Sequence, residues 1–401
     1  MTDTTPPKRP AAAPSGVADV RSTLRREMPV SRRWAYFDHA AVAPIPLAAA
    51  RAMRQYAVEA CREGDTRWLT WHGQTEQLRT HLAALVGAMP EEIALVPNTT
   101  IGLGLIAEGW RWRPGDSLVV PANEFPSNLV PWRNLARRGV EIREVPVDDS
   151  GEICLARILQ AIDSTTQLVA LSWVGFASGW RIQLAEICQA IHNRGPLVVV
   201  DAIQGLGAFP IDVTQSHIDF LVADGHKWLL GPEGAGLMFI RASHQERLDP
   251  LMIGWHSLEP SLAFEPSGQR MKSTAECWEG GSANTAGLIG LEQSVQLLLE
   301  LGANQPESRI AAAIIENVAQ VEDKLLSAGF AVHLPRTLQH RSGIVGVSLP
   351  GVSPTKLRQA CWRQGIVTSV RGGRLRVSTH AYNNSEDIDR LVQALQDFQR
   401  E

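Results

Sequence analysis

The chain has 401 residues, 44% hydrophobic and 20% charged, enough for a large core and ordinary for a globular protein of two domains. Its formal net charge of −4 leaves no basic footprint, so nucleic acid and acidic membrane surfaces are poor partners.

In chain order, residues 1–16 are rich in Pro, Ala and Thr without apolar periodicity, and a disordered tail is expected. Residues 17–37 are expected to pack on the smaller domain. The small residues Ala40, Ala41 and Ala43 before Pro44 suggest closely packed backbone ahead of a helix starting near Pro46. Leu78, Leu82, Leu85 and Val86 recur with helical spacing and predict an amphipathic helix over residues 73–88. A short strand at 93–96 ends at Pro97-Asn98-Thr99-Thr100, which reads as a turn opening a helix. Hydroxyls and free N–H groups there suit a phosphate, although a Thr at a helix start is also a common cap. No Lys-Ser or Lys-Thr follows the glycines, so it is not a nucleotide P-loop. Strands at 117–120, 140–145, 168–172 and 197–200, with helices near 154–162 and 184–192, predict a parallel sheet covered on both faces. Phe125, in a polar loop after the 117–120 strand, is either a core plug or a platform for a flat ligand.

The stretch from Val198 to Gly236 carries the chemistry. One apolar run ends in Asp201, with Gln204 three residues on. A second, Phe220-Leu221-Val222-Ala223, ends in Asp224-Gly225-His226-Lys227. Such runs read as buried parallel strands, and open α/β sheets bind ligands beyond the carboxyl ends of their strands. Neighbouring strands would bring one carboxylate and one amine to the same crevice. A pyridoxal phosphate enzyme needs that pair, the lysine for a Schiff base and the acid for the pyridine nitrogen. Beyond it come a strand at 236–240, an irregular run over 250–283, helices at 286–301 and 308–328, and strands at 344–349, 365–369 and 374–378. Helices at 354–364 and 385–399 follow the same pattern, the last with Ser385 as N-cap. The smaller domain is expected from about residue 300, after a large domain over 38–299. Cys61, Cys154, Cys188, Cys277 and Cys361 show no CxxC spacing and fit reduced cytosolic thiols better than disulfides or a metal site, so a cytoplasmic protein is expected. Glu292, Gln293 and Glu300 interrupt the best candidate for a membrane span.

Six segments together resemble the class V aminotransferase family, the fold-type-I pyridoxal phosphate enzymes that include cysteine desulfurases, selenocysteine lyases and isopenicillin N epimerases. They are Asn98-Thr99-Thr100, Glu124-Phe125-Pro126-Ser127-Asn128, Asp201-Ala202-Ile203-Gln204, Gly225-His226-Lys227-Trp228, Trp278 to Thr285, and Arg376 to Asn384. The resemblance implies a large domain with a mostly parallel seven-stranded sheet between helices and a smaller α+β C-terminal domain. It implies Lys227 as the Schiff-base lysine, Asp201 on the pyridinium nitrogen, Gln204 on the ring hydroxyl and Phe125 stacked on the ring. Thr99, Thr100 and His226 are implied on the phosphate, with Gly281 and Ser282 reaching the partner subunit's phosphate in a homodimer. Arg376, with Ala40 and Ala41, is implied at the substrate carboxylate, although Arg371 and Arg374 compete for that role.

Three departures bear on the reaction. Desulfurases of the family carry a mobile cysteine loop before the arginine, whereas residues 365–374 here hold no cysteine, and Cys361 on a predicted helix reads as core. The family's serine before Gly-His-Lys is Asp224. A substrate-side Asn appears as Phe176, which suggests a more apolar substrate, while the short arginine-rich loop leaves the rim open to a larger or acidic one. The expected activity is chemistry on an amino acid through an external aldimine, as a transaminase, C–S or C–Se lyase, or epimerase. Desulfuration is the alternative, and a non-catalytic pyridoxal phosphate-binding protein is the alternative of another class.

Overall fold

Apolar runs without polar alternation must bury both faces, and the chain uses them as the strands of a seven-stranded sheet. The computed structural model describes residues 16–259 and 269–400. In sheet order the strands are Ile93–Val96, Gly236–Ile240, Phe220–Asp224, Leu197–Asp201, Thr166–Ser172, Ser117–Pro121 and Glu141–Val145. Gly236–Ile240 runs antiparallel to both of its neighbours, and the other pairs are parallel. Alternate residues feed opposite core layers: Val198, Val200, Leu221 and Ala223 enter one, Val199, Phe220 and Val222 the other. The first layer is closed by helices Trp68–Val86 and Thr285–Glu300, through residues such as Leu78, Leu82 and Leu291, and the second by Thr99–Gly109 through Leu103 and Ile106. The fold is the mostly parallel α/β arrangement that the sequence implies.

A second, antiparallel sheet follows, ordered Ala331–His333, Ile344–Ser348, Arg374–Ser378, Ser369–Arg371. Val318, Val321, Leu357, Leu391 and Leu395 pack on it in a separate core. Helix Arg309–Ser327 serves both units, with Ile310, Ala313 and Ile314 in the large core and Val318, Val321 and Leu325 in the small one.

The N-terminal segment ties the units together. Val20 and Leu24 of helix Val17–Glu27, with Met28 just after it, join Ile310 and Ile314, and Arg25 Nη1 lies 2.8 Å from Asp387 Oδ2. Ala35–Tyr36 then pairs in parallel with Ile366–Val367, and Ser378 N donates to Phe37 O at 2.7 Å. This pairing carries Asp38 to Ala41 against the end of strand Arg374–Ser378, where Ala40 N donates to Ser378 Oγ at 3.0 Å.

Several local readings differ from the sequence expectation. Helix Val17–Glu27 and strands Ala35–Tyr36 and Ala331–His333 were not predicted, because each is short or shows too little periodicity to stand out. The final helix is capped by Asn384, whose Oδ1 accepts from Asp387 N at 3.0 Å, and Ser385 is its first residue. Asn98 likewise caps Thr99–Gly109, accepting from Ile101 N at 2.9 Å. The tail expected over residues 1–16 lies outside the described residues apart from Gly16. No described helix is long and apolar enough to cross a membrane.

Gly207 holds the segment after Gln204 against the segment after Lys227. Its φ is +92°, and a Cβ there would lie 2.4 Å from the carbonyl oxygen of Trp228. Gly207→Ala should lower the unfolding free energy by about 2 kcal/mol or more, through positive-φ strain and backbone overlap. Denaturant titration measures this, and an unchanged midpoint would refute the tight packing described.

Candidate functional site

Asp201 and Asp224 are the last residues of adjacent parallel strands, and Lys227 follows three residues later. A cavity of about 370 Å³ opens at these strand ends. Asp201, Gln204, Asp224, His226 and Lys227 line it from the sheet, and Thr99 and Thr100 from a helix start. Phe125 and Phe176 enter from loops after two further strands, Ala40 and Ala41 from the N-terminal segment, and Arg371 and Arg376 from the small sheet. Gly281 and Ser282 do not reach this cavity; they border separate grooves near Trp71 and Met252.

Lys227 is 8% exposed, and its Nζ sits 5.5 Å from the centre of the Phe125 ring. Burial pushes its pKa down to about 8; Arg376 and Arg371 push the same way, while Asp201 and Asp224 oppose them. Burial lifts Asp201 to about 6, against the Ile203 N–H, which donates to Oδ1 at 3.0 Å, and the charge of Lys227. Behind it, Glu124 accepts from Ser172 N at 2.7 Å and from the Ser172 hydroxyl. Burial, against the hydroxyl bond and with the charge of Asp201 adding, raises Glu124 to about 7.

Gln204 is oriented from both ends of its amide. Trp228 Nε1 donates to Oε1 at 2.9 Å and Nε2 donates to Ala40 O at 3.0 Å, leaving one N–H uncommitted. Phe125 is 38% exposed and meets Phe176 edge-to-face at 5.2 Å, so it is a platform in the cavity and not a core plug.

Among the residues that line the cavity, three buried polar atoms have no hydrogen-bond partner: Thr99 Oγ1, Asp224 Oδ1 and His226 Nδ1. His226 Nδ1 lies 3.0 Å from Asp224 Oδ2, close enough for charge attraction but poorly aligned for a hydrogen bond. Unpartnered buried donors and acceptors are costly, and their concentration on one wall marks a place built for a polar ligand.

Arg376 is 1% exposed. Its Nε donates to Ser369 Oγ at 3.1 Å, Nη1 to Phe176 O at 2.8 Å and Nη2 to Asp38 Oδ1 at 3.3 Å. Burial lowers its pKa to about 10, against Asp38, so it stays cationic at neutral pH. Asp38, Glu124 and Ser369 were not singled out from the sequence. A signal for Ser369 existed in the strand period, which sets it opposite Arg376. Strand Ser369–Arg371 returns into Arg374–Ser378 through Gly372-Gly373, whose φ angles of 53° and 70° suit a two-residue hairpin turn.

The family model for aminotransferase class-V matches residues 35–391. The chain belongs to this family. A probable cysteine desulfurase of Methanothermobacter thermautotrophicus is 30% identical over 396 residues, 94% of this chain and 97% of that protein. A cysteine desulfurase of Shigella sonnei is 29% identical over 81% of this chain and 82% of its own length. Among solved structures, a cysteine desulfurase from Thermococcus onnurineus superposes with a TM-score of 0.85 at 25% identity, covering 94% of this chain and 98% of that one. As a class V aminotransferase relative the chain is a pyridoxal phosphate-dependent enzyme, and the cavity fits that cofactor. It offers unpartnered polar atoms beside a helix start, an aromatic platform, a buried acid and a buried lysine in one space.

The depressed Lys227 is open to test on the apoenzyme. Its neutral fraction rises through pH 8 rather than near 10.5, so acetylation of Lys227 should be half-maximal near pH 8, followed by peptide mass spectrometry. Asp201→Asn removes a charge that raises the lysine, so the midpoint should move lower. A midpoint that stays with those of surface lysines would contradict the burial argument.

Proposed function

We propose that the enzyme acts on an α-amino acid by proton transfer at its α-carbon, as a transaminase, C–S or C–Se lyase, or epimerase. When bound, pyridoxal phosphate supplies an electron-withdrawing ring that makes bonds at that carbon easier to break. Thr99, Thr100 and His226 would hold the phosphate, Phe125 would support the ring and Gln204 would offer its free N–H to the ring hydroxyl. Asp201 would keep the ring nitrogen protonated; a unit pair near roughly 4 Å is worth about 4 kcal/mol at an effective dielectric of about 20. Lys227, neutral in a good fraction near pH 8, would carry the cofactor and could then take up and return the α-proton. Arg376 takes the substrate carboxylate with the two guanidinium N–H groups that its three neighbours leave free, beside the Ala40-Ala41 backbone. Gly281 and Ser282, remote from this cavity, serve the phosphate of a second copy in a homodimer.

The observation that carries the reading against sulfur transfer is the position of the cysteines. None lines the cavity. Cys361 is fully buried, and burial pushes its thiol up to about 12, the opposite of a persulfide-forming nucleophile. Residues 365–374, where the resemblance puts the family's cysteine loop, hold no cysteine, and 369–374 form a strand and the tight Gly372-Gly373 turn. Sulfur transfer is kept as the second reading because the curated relatives are named cysteine desulfurases.

Cys361→Ala should leave the turnover of any accepted amino acid within about twofold, as expected for a buried thiol outside the site. Lys227→Ala should lower it by roughly a thousandfold or more, as loss of a covalent and proton-shuttling group does. Product analysis by mass over an amino-acid panel decides both. Sulfur release from cysteine that disappears in Cys361→Ala would overturn the proposal.

A further inference from the structure

The two arginines of the cavity are in opposite electrostatic situations. Arg376 is buried, donates from three nitrogens and faces Asp38 at 3.3 Å. Arg371 is exposed, and its hydrogen bond is from Nη1 to the adjacent carbonyl, Val370 O, at 2.8 Å. No described carboxylate lies within ion-pair distance of it. Arg374, the third candidate, turns to another groove, where Nη2 donates to Asp149 O at 3.3 Å.

Arg371 is not on a free loop. Its strand is closed by the Gly372-Gly373 turn, and a Cβ on Gly372 would lie 3.4 Å from that of Ala177. It stands two residues beyond Ser369, the partner of Arg376, a step of roughly 7 Å along an antiparallel strand. Residues two apart on a strand face the same side, so Arg371 stands on the face from which Ser369 holds Arg376, and both arginines line the cavity. Its charge reaches the interior, since it lowers the pKa of both Lys227 and Arg376. Phe176 lines the same cavity, and its ring, packed edge-to-face on Phe125, offers no hydrogen bond to a neutral polar side chain.

We propose that Arg371 binds a second carboxylate, at the end of the substrate side chain, so that the site selects dicarboxylic α-amino acids over their neutral isosteres. This rests on the reading of the cavity as an amino-acid site. The guanidinium fork matches a carboxylate in two parallel hydrogen bonds, and Arg371 breaks no ion pair on binding it, since Asp38, the carboxylate that feels its charge, is paired with Arg376.

The test is a titration of the holoenzyme's visible cofactor band with L-glutamate and with L-glutamine, in wild type, Arg371→Gln and Arg371→Lys. Wild type should half-saturate at a glutamate concentration roughly tenfold to a hundredfold below that for glutamine, the range of a charge-assisted pair. Arg371→Gln should bring the ratio of the two half-saturating concentrations to within about twofold of one, while Arg371→Lys, without the fork, should keep part of the preference. Equal responses to both ligands in wild type would overturn the inference alone. So would equal weakening of both in Arg371→Gln, which would make Arg371 an anchor of the α-carboxylate. No spectral response to any amino acid would overturn the amino-acid reading as well.

Discussion

The site depends on one constraint: an acid and an amine kept out of water at the ends of two adjacent strands. Asp201 and Lys227 are each less than a tenth exposed, and burial moves their pKa values towards one another, to about 6 and about 8. Each charge partly offsets the cost of the other, which explains why neither is neutralised outright. The strands that deliver them are apolar on both faces, so neither side chain can turn away into solvent without unpacking a core layer. Crevices at the carboxyl ends of such strands are the usual ligand sites of open α/β sheets, and here the crevice arrives already charged.

Around this pair the remaining walls come from distant parts of the chain. The small sheet supplies Arg371 and Arg376, and the N-terminal segment supplies Ala40 and Ala41, with Asp38 behind Arg376. These two contributions are coupled, because Ala35–Tyr36 pairs with Ile366–Val367 and Ser378 joins the backbone of Phe37 to that of Ala40. Gln204 extends the coupling, since its Nε2 donates to Ala40 O while Trp228, next to Lys227, fixes its other end. Movement of the small unit would therefore be felt at the amide beside the ring site, and at Arg376, without any change in the large sheet.

Much of the fold was legible in the sequence because its strongest signals are continuous apolar strands ending in Asp201 and Asp224, and helical spacing such as that of Leu78, Leu82, Leu85 and Val86, expected over residues 73–88 and found in helix Trp68–Val86. The short pieces were not. Ala331–His333 and Ala35–Tyr36 have too few residues for a period, and their placement follows from partners far away in the chain. The same limit applied at the site. Lys227 and Asp201 announce themselves by following buried strands, whereas Asp38 and Glu124 acquire meaning only when tertiary packing brings Arg376 and Ser172 to them. The contrast between Arg371 and Arg376 was likewise invisible in sequence, where both are arginines near one turn. Asp224, at odds with the family pattern, is next to His226 and keeps one oxygen unpartnered.

The central claim is that Lys227 carries the cofactor in the crevice shared with Asp201. Borohydride reduction of the protein loaded with pyridoxal phosphate, followed by peptide mass mapping, tests it most directly. The account predicts one stoichiometric phosphopyridoxyl group on the peptide containing Lys227. A label on another lysine, or an unlabelled Lys227 peptide in fully loaded protein, would contradict it.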